Sequence, residues 1–242
     1  MARRDRPPGE PGRPPRAAGR ALRVEPPTVA DVLLSCAFVN LKPGVGKTTS
    51  AVWLAHALCA MDVPPLLVDS DPAGSALRWS ELAGGFPFPV VALPVGDVHR
   101  CIDDFLGGRQ AVVLDAPQLE DHARIARGVM RHADEWIVPV TPAPIELDRM
   151  APIQAEMGEV QSLRAEPART AVLLNRTNRR ESTRTGPDAD AREVLAERGF
   201  DVLDTQIARL DLYSQSFGGP VQVENTAYMD LAGELLKRRE GA

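Results

Sequence analysis

Short apolar runs alternate with longer stretches in which apolar and polar residues mix at helical spacing. The runs fall at residues 32–39, 66–68, 90–92, 111–114, 136–140, 170–174 and 202–203, and each is of strand length. A further strand-like piece spans 205–209. Between them lie patterns that predict helices over 48–61, 73–82, 98–106, 120–132, 145–163, 188–198 and 226–239. The pattern over 48–61 reads as amphipathic. Pro152 inside the fifth helical stretch either kinks it or marks its true first turn. A strand followed by a helix, repeated along the chain, predicts one α/β domain with a mostly parallel sheet and helices on both faces.

Composition narrows this only a little. The 242 residues are enough for one well-filled domain, and 44% hydrophobic with 25% charged residues is ordinary for a soluble fold. No apolar run approaches the length needed to cross a bilayer, and residues 1–20 lack the apolar centre of a signal peptide, so a cytoplasmic protein is expected. The three cysteines are far apart and the four histidines have no ligand spacing, which points to neither a disulfide framework nor a zinc site.

Charge is uneven. Residues 1–25 carry seven arginines against three acids, so the net −5 of the chain divides into +4 there and −9 in the remainder. With Pro7-Pro8, Pro14-Pro15 and Pro26-Pro27 and few apolar side chains, residues 1–28 are expected to be a disordered basic tail ahead of a domain over 29–242. Two readings stand for it: an electrostatic arm for DNA or anionic lipid, or a solvated extension.

The most informative stretch is Val39-Asn40-Leu41-Lys42-Pro43-Gly44-Val45-Gly46-Lys47-Thr48-Thr49, between the first strand and the first helix. Glycines 44 and 46 let the main chain approach oxygen atoms closely, the helix start offers unpaired N–H groups to an anion, and Lys47 adds a point charge. Thr48 is placed to give its hydroxyl to Mg²⁺. The common phosphate-loop pattern needs Gly at position 41, where this chain has Leu41. Two more strands end in carboxylates: Asp69-Ser70-Asp71-Pro72 after 66–68, and Asp115 after 111–114, the latter a candidate for holding Mg²⁺ opposite Thr48. Asp71-Pro72 also suits the start of a helix, as N-cap and first residue.

These motifs together resemble the ParA/MinD family of deviant Walker A ATPases, closest to its ParA-type partition members. The resemblance rests on Lys42 in the slot of the family's signature lysine, on the D-x-D-P box at Asp69–Pro72, on the strand closing at Asp115, and on Ala133-Asp134 through Pro142. Pro43 departs from it, replacing the family's first glycine and removing an N–H. The resemblance implies a P-loop NTPase fold, ATP and Mg²⁺ as cofactors, and hydrolysis of ATP. It implies cofactor binding by Lys42, Gly44, Val45, Gly46, Lys47, Thr48 and Thr49, with Asn175 beside the adenine. Lys47, Lys42 and Asp71 would serve catalysis, Lys42 by reaching across an ATP-held homodimer and Asp71 by positioning the attacking water. Metal would be held by Thr48 and Asp115. The slot of a family arginine is held by Leu210, with Arg209 beside it, and either could take that role.

Arg176, Arg179, Arg180 and Arg184 form the densest basic cluster of the body. They suit non-specific duplex DNA through phosphate contacts, or are a solvated loop. The implied function is DNA segregation, with a ParB-like centromere-binding partner stimulating hydrolysis and the protein nucleoid-associated. A MinD-like membrane-positioning ATPase and a metabolic ligase of the same superfamily are the alternatives. The C-terminal 237–239 basic run has too few bulky apolar partners for stable membrane association.

Overall fold

The computed structural model describes residues 32–178 and 186–241. The expected tail over 1–28 and Arg179, Arg180 and Arg184 lie outside the described residues.

Seven strands form one parallel sheet in the order β3-β2-β4-β1-β5-β6-β7: β1 Leu34–Phe38, β2 Pro65–Asp69, β3 Val90–Ala92, β4 Ala111–Asp115, β5 Glu135–Val140, β6 Arg169–Thr177 and β7 Ile207–Ala208. Strands β1, β2, β4 and β5 are buried at every residue, which is why their sequences read as continuous apolar runs rather than as alternation. Among the described residues eight helices pack on the sheet or join its strands: α1 Lys47–Ala60, α2 Ser75–Leu82, α3 Leu119–His132, α4 Pro144–Asp148, α5 Met150–Gln161, α6 Pro187–Glu197, α7 Asp211–Ser214 and α8 Ala227–Glu240. Alternate side chains of each strand feed two cores. Val68, Leu114, Trp136 and Val172 pack with α3, α5 and α6 on one face, and Cys36, Phe38, Val113 and Leu173 pack with α1, α2 and α8 on the other.

Register places the ligand-bearing ends level with one another. Phe38 and Asp69 both pair with Asp115, so the exits of β1, β2 and β4 lie side by side at the carboxyl edge of the sheet. Such an edge is where open α/β sheets bind ligands.

Five local expectations change. Helix α1 is not amphipathic: Ser50 through Leu58 are all buried, because α8 covers the face that the sheet leaves free. Tyr228 of α8 shares a buried 3.1 Å hydrogen bond with Ser50. Residues 98–106 form two 3-10 turns, Val98–Arg100 and Ile102–Phe105, rather than a helix, which suits a connection of this length ending in Gly107-Gly108. The stretch 145–163 breaks at Arg149 into α4 and α5, and Pro152 sits in the first turn of α5, where its missing N–H costs nothing. Val202 makes an isolated bridge to Val172 in place of a strand. Asp71 does not cap α2. Gly74, at φ 62°, precedes that helix, and the carboxylate that caps it belongs to Asp69.

Candidate nucleotide site

Helix α1 begins in an unusual way. Gly46 precedes it in the left-handed region at φ 94°, no side chain caps it, and its first turn has no acidic residue. The N–H groups that another helix would give to a cap are left for an external acceptor. Gly44, at φ 77°, makes the other left-handed turn of the loop. Lys47 is buried, and its Nζ donates to the Lys42 carbonyl at 3.0 Å, across the loop. Burial lowers the Lys47 ammonium pKa, against the pull of Asp115 and Asp71. A buried cation beside a row of unpaired helix amides can accept an anion such as a phosphate.

Asp115 is fully buried and makes no short hydrogen bond and no ion pair among the described residues, with the Thr48 hydroxyl facing it as a weak donor. Desolvation pushes its pKa up to about 8, with Asp69 and Asp71 adding to the rise and Thr48 and Lys47 opposing it. A buried carboxylate left without partners is costly. A hard divalent cation shared with the Thr48 hydroxyl would satisfy it, so the residues present fit Mg²⁺.

The two aspartates of the box divide the work. Asp69 is fully buried: Oδ1 accepts from Asp71 N at 3.2 Å and Oδ2 from Leu77 N at 2.9 Å, while burial raises its pKa. It holds the turn and the start of α2. Asp71 is half-buried, with Oδ1 accepting from Ala73 N at 2.9 Å, so Oδ2 remains available beside Lys47 and Asp115. In the D-x-D-P stretch the amide at the start of α2 is held by the first aspartate and not the second.

Lys42 stands at the front of the loop. Its N–H donates to Asn40 Oδ1 at 3.2 Å, and its side chain enters none of the ion pairs among the described residues. It borders a cleft of about 330 Å³ with Ile145 and Arg176. A second cleft, about 550 Å³, runs from Gly46 and Thr49 past Asn175 to Arg209, Leu210, Tyr213 and Gln215. Helix α7 and its C-terminal flank, with Tyr213 and Gln215, are not visible as part of a site in the sequence, because no motif marks them.

Asn175 ends on this cleft, 6% exposed, donating from Nδ2 to the Val45 carbonyl at 2.8 Å. Arg176 is exposed, has a left-handed backbone at φ 60°, and borders both clefts. Of the four arginines, it alone is among the described residues, and it lies next to the phosphate loop. Arg209 and Leu210 both line the larger cleft. At the other end of α8, Arg238 bonds Glu135 and Asp201, so that part of the basic C-terminal run is engaged within the fold. No helix among the described residues is long and apolar enough to cross a membrane.

Comparison with known proteins agrees with this geometry. The model of the CobQ/CobB/MinD/ParA nucleotide binding domain matches residues 36–217. The chain is 36% identical over 178 residues to the maintenance of carboxysome distribution protein A of Gloeobacter kilaueensis, covering 71% of this chain and 74% of that one. It is 26% identical to the chromosome-partitioning ATPase Soj of Thermus thermophilus, covering 85% and 96%. Among solved structures, cobyrinic acid a,c-diamide synthase of Mycobacterium smegmatis with bound ATP analog and magnesium superposes with a TM-score of 0.67 at 18% identity, covering 85% and 95%.

Proposed function

Because the chain belongs to the CobQ/CobB/MinD/ParA family of nucleotide-binding domains, we propose that it is an ATPase that positions a cargo, cycling between an ATP-held homodimer on duplex DNA and a released state. The observation that carries the reading is Lys42, a cation outside every ion pair among the described residues, at the front of a loop whose own phosphate lysine, Lys47, is already in place. A second lysine at the loop has no task in a monomeric phosphate cradle and has one in a dimer, where it meets the partner's nucleotide. Relatives named for carboxysome distribution and for chromosome partition support a positioning role.

In this reading the amides of 44–49 and Lys47 hold the phosphates of ATP, and Asn175 closes the cleft for the base. Thr48 and Asp115 hold Mg²⁺, which supplies charge neutralisation at the phosphates when bound. The free Oδ2 of Asp71 orients the attacking water. Burial of Asp69 keeps the box rigid while Asp71 stays half-exposed, as a group that must meet water should be. Hydrolysis then removes the ligand that joins the protomers, and a ParB-like partner accelerates that step. DNA is held through phosphates by Arg176, Arg179, Arg180 and Arg184, doubled across the dimer so that an acidic body can bind an anion. The protein would act in the cytoplasm, associated with the nucleoid.

Binding of duplex DNA, measured with ATP, with ADP and without nucleotide, tests this. The expected result is retention only with ATP, lost with rising salt at a slope set by the number of phosphate contacts. ATP turnover with no DNA binding in any nucleotide state would favour a metabolic enzyme of the family.

A further inference from the structure

The phosphate loop is tied to the sheet by two asparagine side chains, one at each end. Asn40 Nδ2 donates to Pro139 O of β5 at 2.9 Å, and its Oδ1 accepts the Lys42 N–H. Asn175 Nδ2 donates to Val45 O at 2.8 Å, and its Oδ1 accepts from Arg176 N at 2.9 Å. Both asparagines are 6% exposed. The second clamp grips the loop between its two left-handed glycines. A Cβ added to Gly46 would lie 2.6 Å from Asn175 Nδ2, so the carboxamide also fills the space that a side chain at 46 would need.

Resting on the nucleotide reading above, we propose that Asn175 is a positioning residue for the phosphates, and not only a neighbour of the base: it fixes the Val45 carbonyl and thereby the amides around it before any ligand arrives. Val45 is buried, and its carbonyl faces into the fold, where losing the donor leaves an unsatisfied acceptor. Clamping the loop beforehand removes an ordering cost that binding would otherwise bear. The clamp also joins the base end of the cleft to the phosphate end through one side chain. Arg176 is part of it through its backbone, which has a left-handed φ of 60° and donates its N–H to Asn175 Oδ1.

Inorganic tripolyphosphate, which has phosphates and no base, separates the two roles. Calorimetric titration of wild type, Asn175→Ser and Asn175→Asp with ATP and with tripolyphosphate, each with Mg²⁺, is the experiment. The aspartate keeps the shape and the acceptor for Arg176 but has no donor for Val45. Both variants are expected to bind tripolyphosphate and ATP about tenfold more weakly, by similar factors, the scale of one buried hydrogen bond. Amide exchange at 44–46 should quicken in the ligand-free variants, and in turnover assays KM should rise with kcat nearly unchanged. If a variant loses affinity for ATP alone and binds tripolyphosphate as wild type does, Asn175 acts on the base and the proposal is overturned. A wild type that binds ATP but not tripolyphosphate would overturn it as well. Wild type binding neither would instead overturn the nucleotide reading itself.

Discussion

Two fully buried carboxylates sit near opposite ends of the sheet, and their surroundings could hardly differ more. Glu135, at the entry of β5, is paired by Arg169 at 2.9 Å and by Arg238 at 2.9 Å, and Arg238 continues to Asp201 at 2.7 Å. Asp115, at the exit of β4, has no ion pair and no short hydrogen bond on either oxygen among the described residues, only the Thr48 hydroxyl nearby. Both pay for desolvation, and only one is compensated within the chain. The satisfied carboxylate belongs to the architecture: it fastens β5, β6 and α8 together. The unsatisfied one marks the place where something from outside completes the molecule, beside free helix amides and a buried lysine.

Mutation should separate the two sharply. Glu135→Ala leaves two partly buried guanidinium groups facing each other, and is expected to cost about 3 kcal/mol of stability, read from urea or thermal unfolding, with nucleotide affinity of the folded fraction unchanged. A nucleotide defect without loss of stability would break the comparison from the architectural side.

Asp115 predicts an effect with a distinctive sign. Its folded pKa of about 8 lies far above the value of 3.8 for a solvated aspartate. The native state therefore holds a proton that the unfolded state releases between those values. The stability this contributes is fully present below pH ~4 and is lost as pH rises through about 8, at no more than about 1.4 kcal/mol per pH unit. Unfolding of the ligand-free protein across pH 5–9 should show this fall, and Asp115→Asn should flatten it. Stability that rises with pH over that window in wild type but not in the variant would contradict the assignment.

The sequence made the phosphate loop, the D-x-D-P box and the order of most elements legible because each depends on neighbouring residues. Strand β4 was read to the residue, since Ala111–Leu114 are all apolar and Asp115 ends them. What depended on distant packing was not visible. Helix α1 carries mixed residues yet is buried on nearly every side, because α8, contributed from the far end of the chain, lies against it. Asp69 was overlooked as a cap because its partner, Leu77 N, is eight residues away. The cleft past Asn175 is closed by Tyr213 and Gln215, whose surrounding sequence has no recognisable spacing. Lys42 was found from its place in a motif, and the geometry adds that its side chain faces a cleft shared with Ile145 and Arg176.

The central claim, that the unsatisfied Asp115 and the loop beside it form a magnesium–nucleotide site, is tested most directly by titrating ATP into wild type and Asp115→Asn, each in excess Mg²⁺ and in EDTA. Wild type should bind ATP at least about tenfold more tightly with the metal, as expected of an ion joining carboxylate, hydroxyl and phosphate, and the variant should bind equally under both conditions. A wild type indifferent to Mg²⁺, or a variant that keeps the full gain from it, would contradict the account.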